Sequence, residues 1–377
     1  MKNIAIVAHK YLHHPDDDLV HFLEKRKGYN IFHVKHSFPD AKDRKSVLDI
    51  YLKGKRKKEI STKDYIFLPE PLVYFKEMFF TFKWLIATKS KYDLYIGVDG
   101  LCTFWGLLLK SLGVCKKVIY WSIDFVPLSR FKSGWKNFIY HKINSLSYKH
   151  ADEVWDLSPR MLKGRKKYLG INKSDYKFHR VVPYGLWINR IKKIPYGKCE
   201  KKTLVFMGHL MKKQGVDLVI KNIDKIVKRI PGFKFKIIGD GNYRNDLVEL
   251  SRMLSVDTYC QFLGRIDNIK LEKEVAKSAV AVAPYIKMKD SYTYYADPGK
   301  VKTYLACGIP LLLTDLPWNA KEIEKRKCGF IIKDDGSDLV KKLVEVMKPS
   351  VNRKFRENAT AYSKDYDYEK IFSKLEL

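Results

Sequence analysis

Short apolar runs alternate along this chain with stretches of helical periodicity. Ile4–Ala8 is a compact apolar run, as a central strand buried on both faces requires. Leu19, Val20, Phe22 and Leu23 predict a short helix over Leu19–Lys27. Asn30–Val34, Leu94–Val98, Val118–Ile123 and Glu153–Leu157 predict further strands, and Lys132–His150 a helix. The second half restarts the pattern, with a strand at Thr203–Met207 and a loop at Gly208–Gly215. Val216–Ile230 predicts one helix, because its apolar residues at 216, 219, 220, 223, 226, 227 and 230 share a face. Strands follow at Phe233–Ile238, Gln261–Leu263, Val280–Ala283 and Leu311–Thr314. This alternation predicts an α/β protein with parallel sheets.

Length divides the pattern. The 377 residues exceed one ordinary core and predict two domains, over 1–190 and 191–350, joined near residues 187–202. Residues 351–377 hold Tyr362, Tyr366, Tyr368, Ile371 and Phe372, which need apolar partners and predict a segment packed back on the first domain. Residues 39–64 are polar and basic around Lys53-Gly54-Lys55-Arg56-Lys57-Lys58 and read as a mobile surface insertion.

Charge adds a partner class. The formal net charge is +31, and residues 1–195 hold 38 Lys and Arg against 18 Asp and Glu. Such a field attracts nucleic acid, acidic lipid or phosphorylated substrates. The 58 lysines against 15 arginines fit composition bias equally well, since bidentate phosphate recognition favours Arg. The chain lacks a compact aromatic-and-Arg motif, so no nucleic-acid partner is expected. An anionic membrane surface remains a candidate for the N-terminal half. Six scattered cysteines without a C-x-x-C pair predict a reducing, cytoplasmic setting. Ile4–Ala8 is too short for a secretory leader, and no run approaches the roughly 20 apolar residues that span a bilayer.

Six segments carry candidate chemistry. Gly208-His209-Leu210-Met211-Lys212-Lys213-Gln214-Gly215 joins a strand to a helix, where glycines admit phosphate to backbone N–H groups and Lys213 adds charge. An ordinary βα turn reads the same way. No G-x-G-x-x-G follows Ile4–Ala8, which disfavours a dinucleotide oxidoreductase. Ala296–Pro310 predicts a helix with Asp297 as N-cap, Pro298 at the first position and Gly308 at its end. Lys300 in the first turn opposes the helix dipole, a conflict that a bound anion relieves. Gly239-Asp240-Gly241 is either a turn against a nucleoside or a plain reversal. Asp124 follows a buried strand, at the edge where open α/β sheets bind ligands, and suits a base or a sugar-hydroxyl contact as well as a loop carboxylate. His13-His14-Pro15-Asp16-Asp17-Asp18 has metal-binding residue types, but its aspartates better suit capping the helix near Leu19. Leu72–Ile86 and Phe131–Tyr148 are aromatic and basic. They read as interfacial membrane segments or, for Leu72–Ile86 in particular, as a helix packed on the sheet.

Taken in order, these segments resemble glycosyltransferase family 4. The likeness runs from Leu204 to Ile332. Gly208–Asp217 is similar to the family's G-x-L-x-x-x-x-G-V-D loop. Ile237–Gly241, Phe262–Arg265, Val282–Tyr285, Tyr304–Pro310 and Gly329–Ile332 follow in family order. In the first half Ala151–Val154 and Val181–Gly185 are similar to the strand and P-N-G element at the family's domain junction, with Tyr184 in place of Asn.

The resemblance implies a GT-B fold: two Rossmann-like domains facing across a cleft, the N-terminal one binding the acceptor and the C-terminal one a nucleotide sugar. It implies a retaining hexosyltransferase with no essential metal, acting on a glycan, glycolipid or lipid-linked acceptor. Lys300 would stabilise the leaving diphosphate, and Asp124 and His14 would orient the acceptor hydroxyl. Gly208, His209, Lys213, Gln214, Gly215, Gly239, Asp240, Gly241, Arg265, Tyr285, Asp297, Val301 and Thr303 would line the donor site. Departures are clear. His209 and Gln214 stand where the family places Arg and Lys, and the two family glutamates fall at Tyr295 and Thr303. A nucleotide-sugar-binding or scaffold protein without turnover is therefore the alternative.

Overall fold

The computed structural model describes residues 1–10, 14–38, 40–65, 67–288 and 292–377, so His13 lies outside the described residues. The chain forms two compact units: Met1–Pro183 with Phe372–Leu377, and Tyr184–Ile371.

Unit one is built on an eight-stranded sheet. Its strands are β1 (Lys2–His9), β2 (Tyr29–His36), β3 (Ser46–Leu52), β4 (Lys55–Ser61), β5 (Tyr92–Val98), β6 (Cys115–Ser122), β7 (Glu153–Asp156) and β8 (His179–Val181). Their spatial order is β4-β3-β2-β1-β5-β6-β7-β8. β1 is central, with Ile4 opposite Ile31 and Leu94 in parallel register. Its run Ile4–Ala8 is buried throughout, which is why it carries no polar alternation. Five helices connect these strands: α1 (Pro15–Glu24), α2 (Glu70–Ala87), α3 (Gly100–Ser111), α4 (Gly134–His150) and α5 (Pro159–Leu169).

The expected mobile insertion over 39–64 is instead an antiparallel hairpin on the sheet edge, β3 with β4. Lys53 (φ 52°) and Gly54 (φ 76°) form its two-residue turn, the left-handed pair that hairpin twist favours. Leu48 and Ile50 supply the inner face, and the lysines of β4 stay exposed.

Unit two carries a six-stranded parallel sheet. Its strands are β9 (Glu200–Met207), β10 (Lys234–Ile238), β11 (Cys260–Gly264), β12 (Ser278–Ala283), β13 (Leu311–Leu313) and β14 (Gly329–Ile331). They lie in the order β11-β10-β9-β12-β13-β14. The helices are α6 (Val216–Ile220), α7 (Ile223–Arg229), α8 (Arg244–Met253), α9 (Asn268–Lys277), α10 (Gly299–Ala306), α11 (Ala320–Lys325), α12 (Leu339–Met347) and α13 (Pro349–Ser363). The single helix expected over Val216–Ile230 breaks after Ile220. Asn222 Nδ2 donates to Leu218 O at 2.9 Å, a side-chain bond that competes with the helical ladder.

Two boundaries differ from expectation. Val182 N–H still bonds Asp156 O at 2.8 Å, so the first unit runs to Pro183 and no long linker follows. The chain after it turns through short helical turns at Ile188–Arg190 and Tyr196–Lys198 and enters β9 at Glu200. The terminal segment also divides. Tyr362 and Tyr366 join the second unit's core, and Asn352 Nδ2 bonds Ala279 O at 3.1 Å. Only Phe372–Leu377 returns to unit one, where Phe372 meets Phe22 and Trp121 edge-on and Lys2 Nζ donates to Leu377 O at 2.7 Å.

Candidate functional site

In unit two the loops leaving β9, β10, β11 and β12 meet at the carboxyl edge of the sheet. Gly208 N–H bonds Ile238 O at 2.9 Å, and Gly239 N–H bonds Gly264 O at 2.8 Å. Gly239 has φ +131°, and a Cβ there would lie 2.0 Å from Gly208 O. Gly241 N–H is held by Asp240 Oδ1 at 2.8 Å. The far end of the loop is clamped as well. Ile286 N–H donates to Lys213 O at 3.0 Å, and Gly215 adopts φ +69° with Pro284 O lying 1.8 Å from where a Cβ would be.

That contact makes Gly215 irreplaceable: the clash is with backbone, which cannot rotate away. Gly215→Ala is expected to cost at least about 1–3 kcal/mol from conformational strain alone. A urea titration reads the loss as a lower midpoint with unchanged slope.

Lys300 reaches this loop from the first turn of α10. Its Nζ lies 2.9 Å from the position of a Cβ on Gly208 and donates to Gln214 Oε1 at 2.6 Å. The aromatic faces of Phe206 and Tyr285 hold the ammonium at 4.1 and 5.0 Å. Burial pushes its pKa down to about 7. A half-buried cation between glycine backbone, two rings and a helix N-terminus suits charge–charge contact with an anion.

Asp297 takes a different place from the one its sequence suggests. Pro298, not Asp297, is the N-cap of α10, and no side chain caps that end. Asp297 is buried, paired with Lys302 and bonded through Oδ1 to Trp318 Nε1 at 2.6 Å. Its Oδ2 accepts the Tyr184 N–H at 2.7 Å. Both oxygens are engaged, so Asp297 positions the α10 entrance and the Tyr184–Gly185 turn. Val301 is likewise core, and Thr303 Oγ1 bonds Gly299 O within the helix at 3.4 Å. His209, Asp240 and Arg265 are exposed at the loop rim, Lys213 and Gln214 are half-buried, and Tyr285 lies beneath Lys300.

Unit one holds a second cluster, at the carboxyl ends of β1, β5 and β6. His9 closes β1. Its Nδ1 lies 2.7 Å from Asp99 Oδ2, and its Nε2 lies 3.0 Å from Glu77 Oε2. Burial opposes charge on the imidazole, but the carboxylates of Asp99 and Glu77 outweigh it and hold the pKa well above the ordinary value. His9 is therefore an imidazolium donating to two carboxylates. Asp99 sits at φ +126°, strained for a residue with a Cβ, and also caps α3 by accepting Cys102 N–H at 2.8 Å. A cavity of about 520 Å³ opens above this cluster and is lined by His9, Asp99, Asp124 and Arg130 among many apolar side chains. Arg130 Nη1 donates to Asp124 Oδ2 at 2.9 Å.

Of the two expected acceptor residues, only Asp124 lines this cavity. His14 is the N-cap of α1, in a capping box with Asp17, and its Nδ1 lies 2.5 Å from Asp16 Oδ1. Of the aspartates expected to cap the helix, Asp17 serves its start by accepting the His14 N–H at 3.0 Å, whereas Asp16 is buried and pairs with His33 at 2.6 Å. Among the described residues, His9, Asp99 and Cys102 form one group of clustered metal-ligand atoms, and Asp16, Asp17 and His33 another. His9, Asp99 and Glu77 were missed in the sequence. The one signal was an Asp-Gly pair at the end of the apolar run Leu94–Val98.

Residues 201–348 match the family described as glycosyl transferases group 1. An uncharacterized glycosyltransferase of Haemophilus influenzae is 24% identical over 177 residues, covering 46% of this chain and 48% of the relative. The chain spans about half the length of the curated relatives it matches. Sucrose-phosphate synthase from Thermosynechococcus elongatus superposes with a TM-score of 0.73 at 14% identity, covering 99% of this chain and 97% of that one. The Anabaena protein HepE, solved in complex with UDP, gives 0.68 at 13% identity over 99% and 98% of the two chains. The fold is therefore GT-B, and residues 201–348 are similar to the group 1 glycosyl transferases.

Proposed function

We propose that this chain is a glycosyltransferase that takes a sugar from a nucleoside diphosphate bound in unit two and passes it to an acceptor held by unit one. The observation that carries the reading is Lys300, a half-buried amine fixed over Gly208 at the N-terminus of α10. As the glycosidic bond to the diphosphate breaks, negative charge grows on the leaving oxygens. A preorganised cation and helix N–H groups stabilise that charge without reorganising. The proposed chemistry therefore neutralises the diphosphate with protein groups rather than a metal. The Gly239–Gly241 turn and Arg265 lie beside the same loop and suit the nucleoside. Retention of anomeric configuration is proposed from the family likeness alone.

A panel of nucleotide sugars scored by thermal stabilisation tests the donor, with UDP as the first probe because the Anabaena neighbour holds it. Product stereochemistry read by NMR tests retention. A binder without turnover is the second reading, favoured by Tyr295 and Thr303 at the expected glutamate positions; transfer or hydrolysis of any nucleotide sugar excludes it.

The Lys300 pKa gives the donor reading a pH signature. In the free protein the amine titrates near 7. A bound diphosphate favours the charged form and raises that value, so binding takes up a proton above pH 7. Lys300's contribution to UDP affinity is expected to be full below pH 7 and to fall by up to about tenfold per unit as pH rises from 7 toward 9. Calorimetry in buffers of different ionisation enthalpy measures the uptake directly. A flat affinity across that window, with no uptake, contradicts the role given to Lys300.

A further inference from the structure

We infer that the cavity of unit one receives the hydrocarbon chain of an amphiphilic acceptor drawn from an anionic membrane surface. Calling the molecule an acceptor rests on the glycosyl-transfer reading. The binding of the chain does not.

Two helices beside the cavity bury polar groups alongside apolar ones and turn aromatic side chains outward. α2 buries Lys76, Glu77 and Thr81 and turns Phe75 and Phe79 outward, 63% and 57% exposed. α4 buries Asn144 and Ser147 and turns out Trp135 and Phe138, 59% and 71% exposed. A helix facing water places these residue types the other way round. Exposed aromatics gathered at one place, rather than scattered, mark a surface that meets something apolar. Lys136 of α4 donates to Glu70 of α2 at 2.5 Å, so both helices belong to one rim.

The cavity continues this surface inward. Phe75 and Met78 of α2, Leu101 and Phe104 of α3, and Trp135 and Ile143 of α4 line its walls. Its volume of about 520 Å³ is ample for a single extended chain. Its charged groups are paired: His9 with Asp99, Asp124 with Arg130, and Glu70 with Lys136. A free sugar would leave the apolar walls uncovered, and a bare hydrocarbon would leave the ion pairs facing nothing. A chain ending in a hydroxylated or phosphorylated head satisfies both. Charge favours a membrane as the source. Residues 1–183 hold 35 Lys and Arg against 18 Asp and Glu. Lysines near an acidic leaflet contribute roughly 1 kcal/mol each. Among the described residues no helix is long and apolar enough to cross a membrane.

Farnesyl phosphate, kept below its micelle concentration, is the probe for the cavity, with inorganic phosphate as the control for the head group alone. The full chain should bind farnesyl phosphate one to one and inorganic phosphate at least tenfold more weakly. Ile143→Trp, which fills the cavity, should weaken farnesyl phosphate at least tenfold and leave the UDP-induced thermal shift unchanged. Phe75→Ser combined with Phe138→Ser should abolish flotation with vesicles containing phosphatidylglycerol, while neutral phosphatidylcholine vesicles bind neither protein. Melting curves establish that each variant folds. Absence of farnesyl phosphate binding by a protein that still binds UDP overturns the inference. So does a dimer in light scattering that Phe138→Ser dissolves, because a second copy then covers the aromatic face. Loss of UDP binding alone, with the lipid result intact, counts against the donor reading and leaves the cavity assignment standing.

Discussion

Lys300→Met is expected to lower kcat/KM for the nucleotide sugar by about two to three orders of magnitude, and the protein should melt at the same temperature or higher. The loss matches the roughly 2.7–4 kcal/mol that a single preorganised charge-stabilising group contributes. The stability result follows from the same burial. Holding an ammonium between Phe206 and Tyr285 costs desolvation, offset by a neutral hydrogen-bond acceptor, Gln214, rather than a carboxylate. Methionine has similar length and packs on both rings without that cost. Steady-state kinetics and a melting curve on one preparation separate the two effects. A variant that turns over normally removes Lys300 from the chemistry. One that unfolds makes it structural.

Asp297→Ala is expected to do the reverse and unfold unit two at far milder conditions. The substitution strands Lys302 in the interior and leaves Trp318 Nε1 and the Tyr184 N–H without acceptors. Removing one partner of a buried pair costs about 3–5 kcal/mol. For a unit of this size each kcal/mol moves the midpoint by about 2–4 °C, so a fall of about 10 °C is expected by circular dichroism. Asp297→Asn keeps one acceptor oxygen and should fall less. Equal melting of wild type and alanine variant would mean that the Lys302 pair contributes nothing.

These two residues also show what the sequence reveals. Lys300 was legible because its conflict with the helix dipole is local, and the strand ends that gather Gly208 and α10 follow from the parallel pattern. Asp297 was misread because Asp-Pro-Gly looks like a cap from either side, whereas its true partners lie 113 residues before it and 21 after. His9 posed the same difficulty. Its partners Glu77 and Asp99 are 68 and 90 residues away, and no periodicity links them. The central strands were plain, since full burial erases polar positions. The β3–β4 hairpin was not, because the lysines of its outer strand mask an alternation carried by Leu48 and Ile50.

That outer strand has a consequence for how copies of the molecule behave in a crowded solution. An edge strand offers unpaired backbone to any passing strand, and a long flat one invites stacking into fibrils. Here the edge reads Lys55-Arg56-Lys57-Lys58, nearly all of it exposed. Two such edges repel before their backbones can meet, so the sheet is closed to self-addition by like charge rather than by a covering element. Acetylation of those amines, or substitution with glutamine, would lift the repulsion and leave a pairing-competent border. The lysine run so conspicuous in the sequence thus acts as an electrostatic guard on the hydrogen-bonding rim of the sheet.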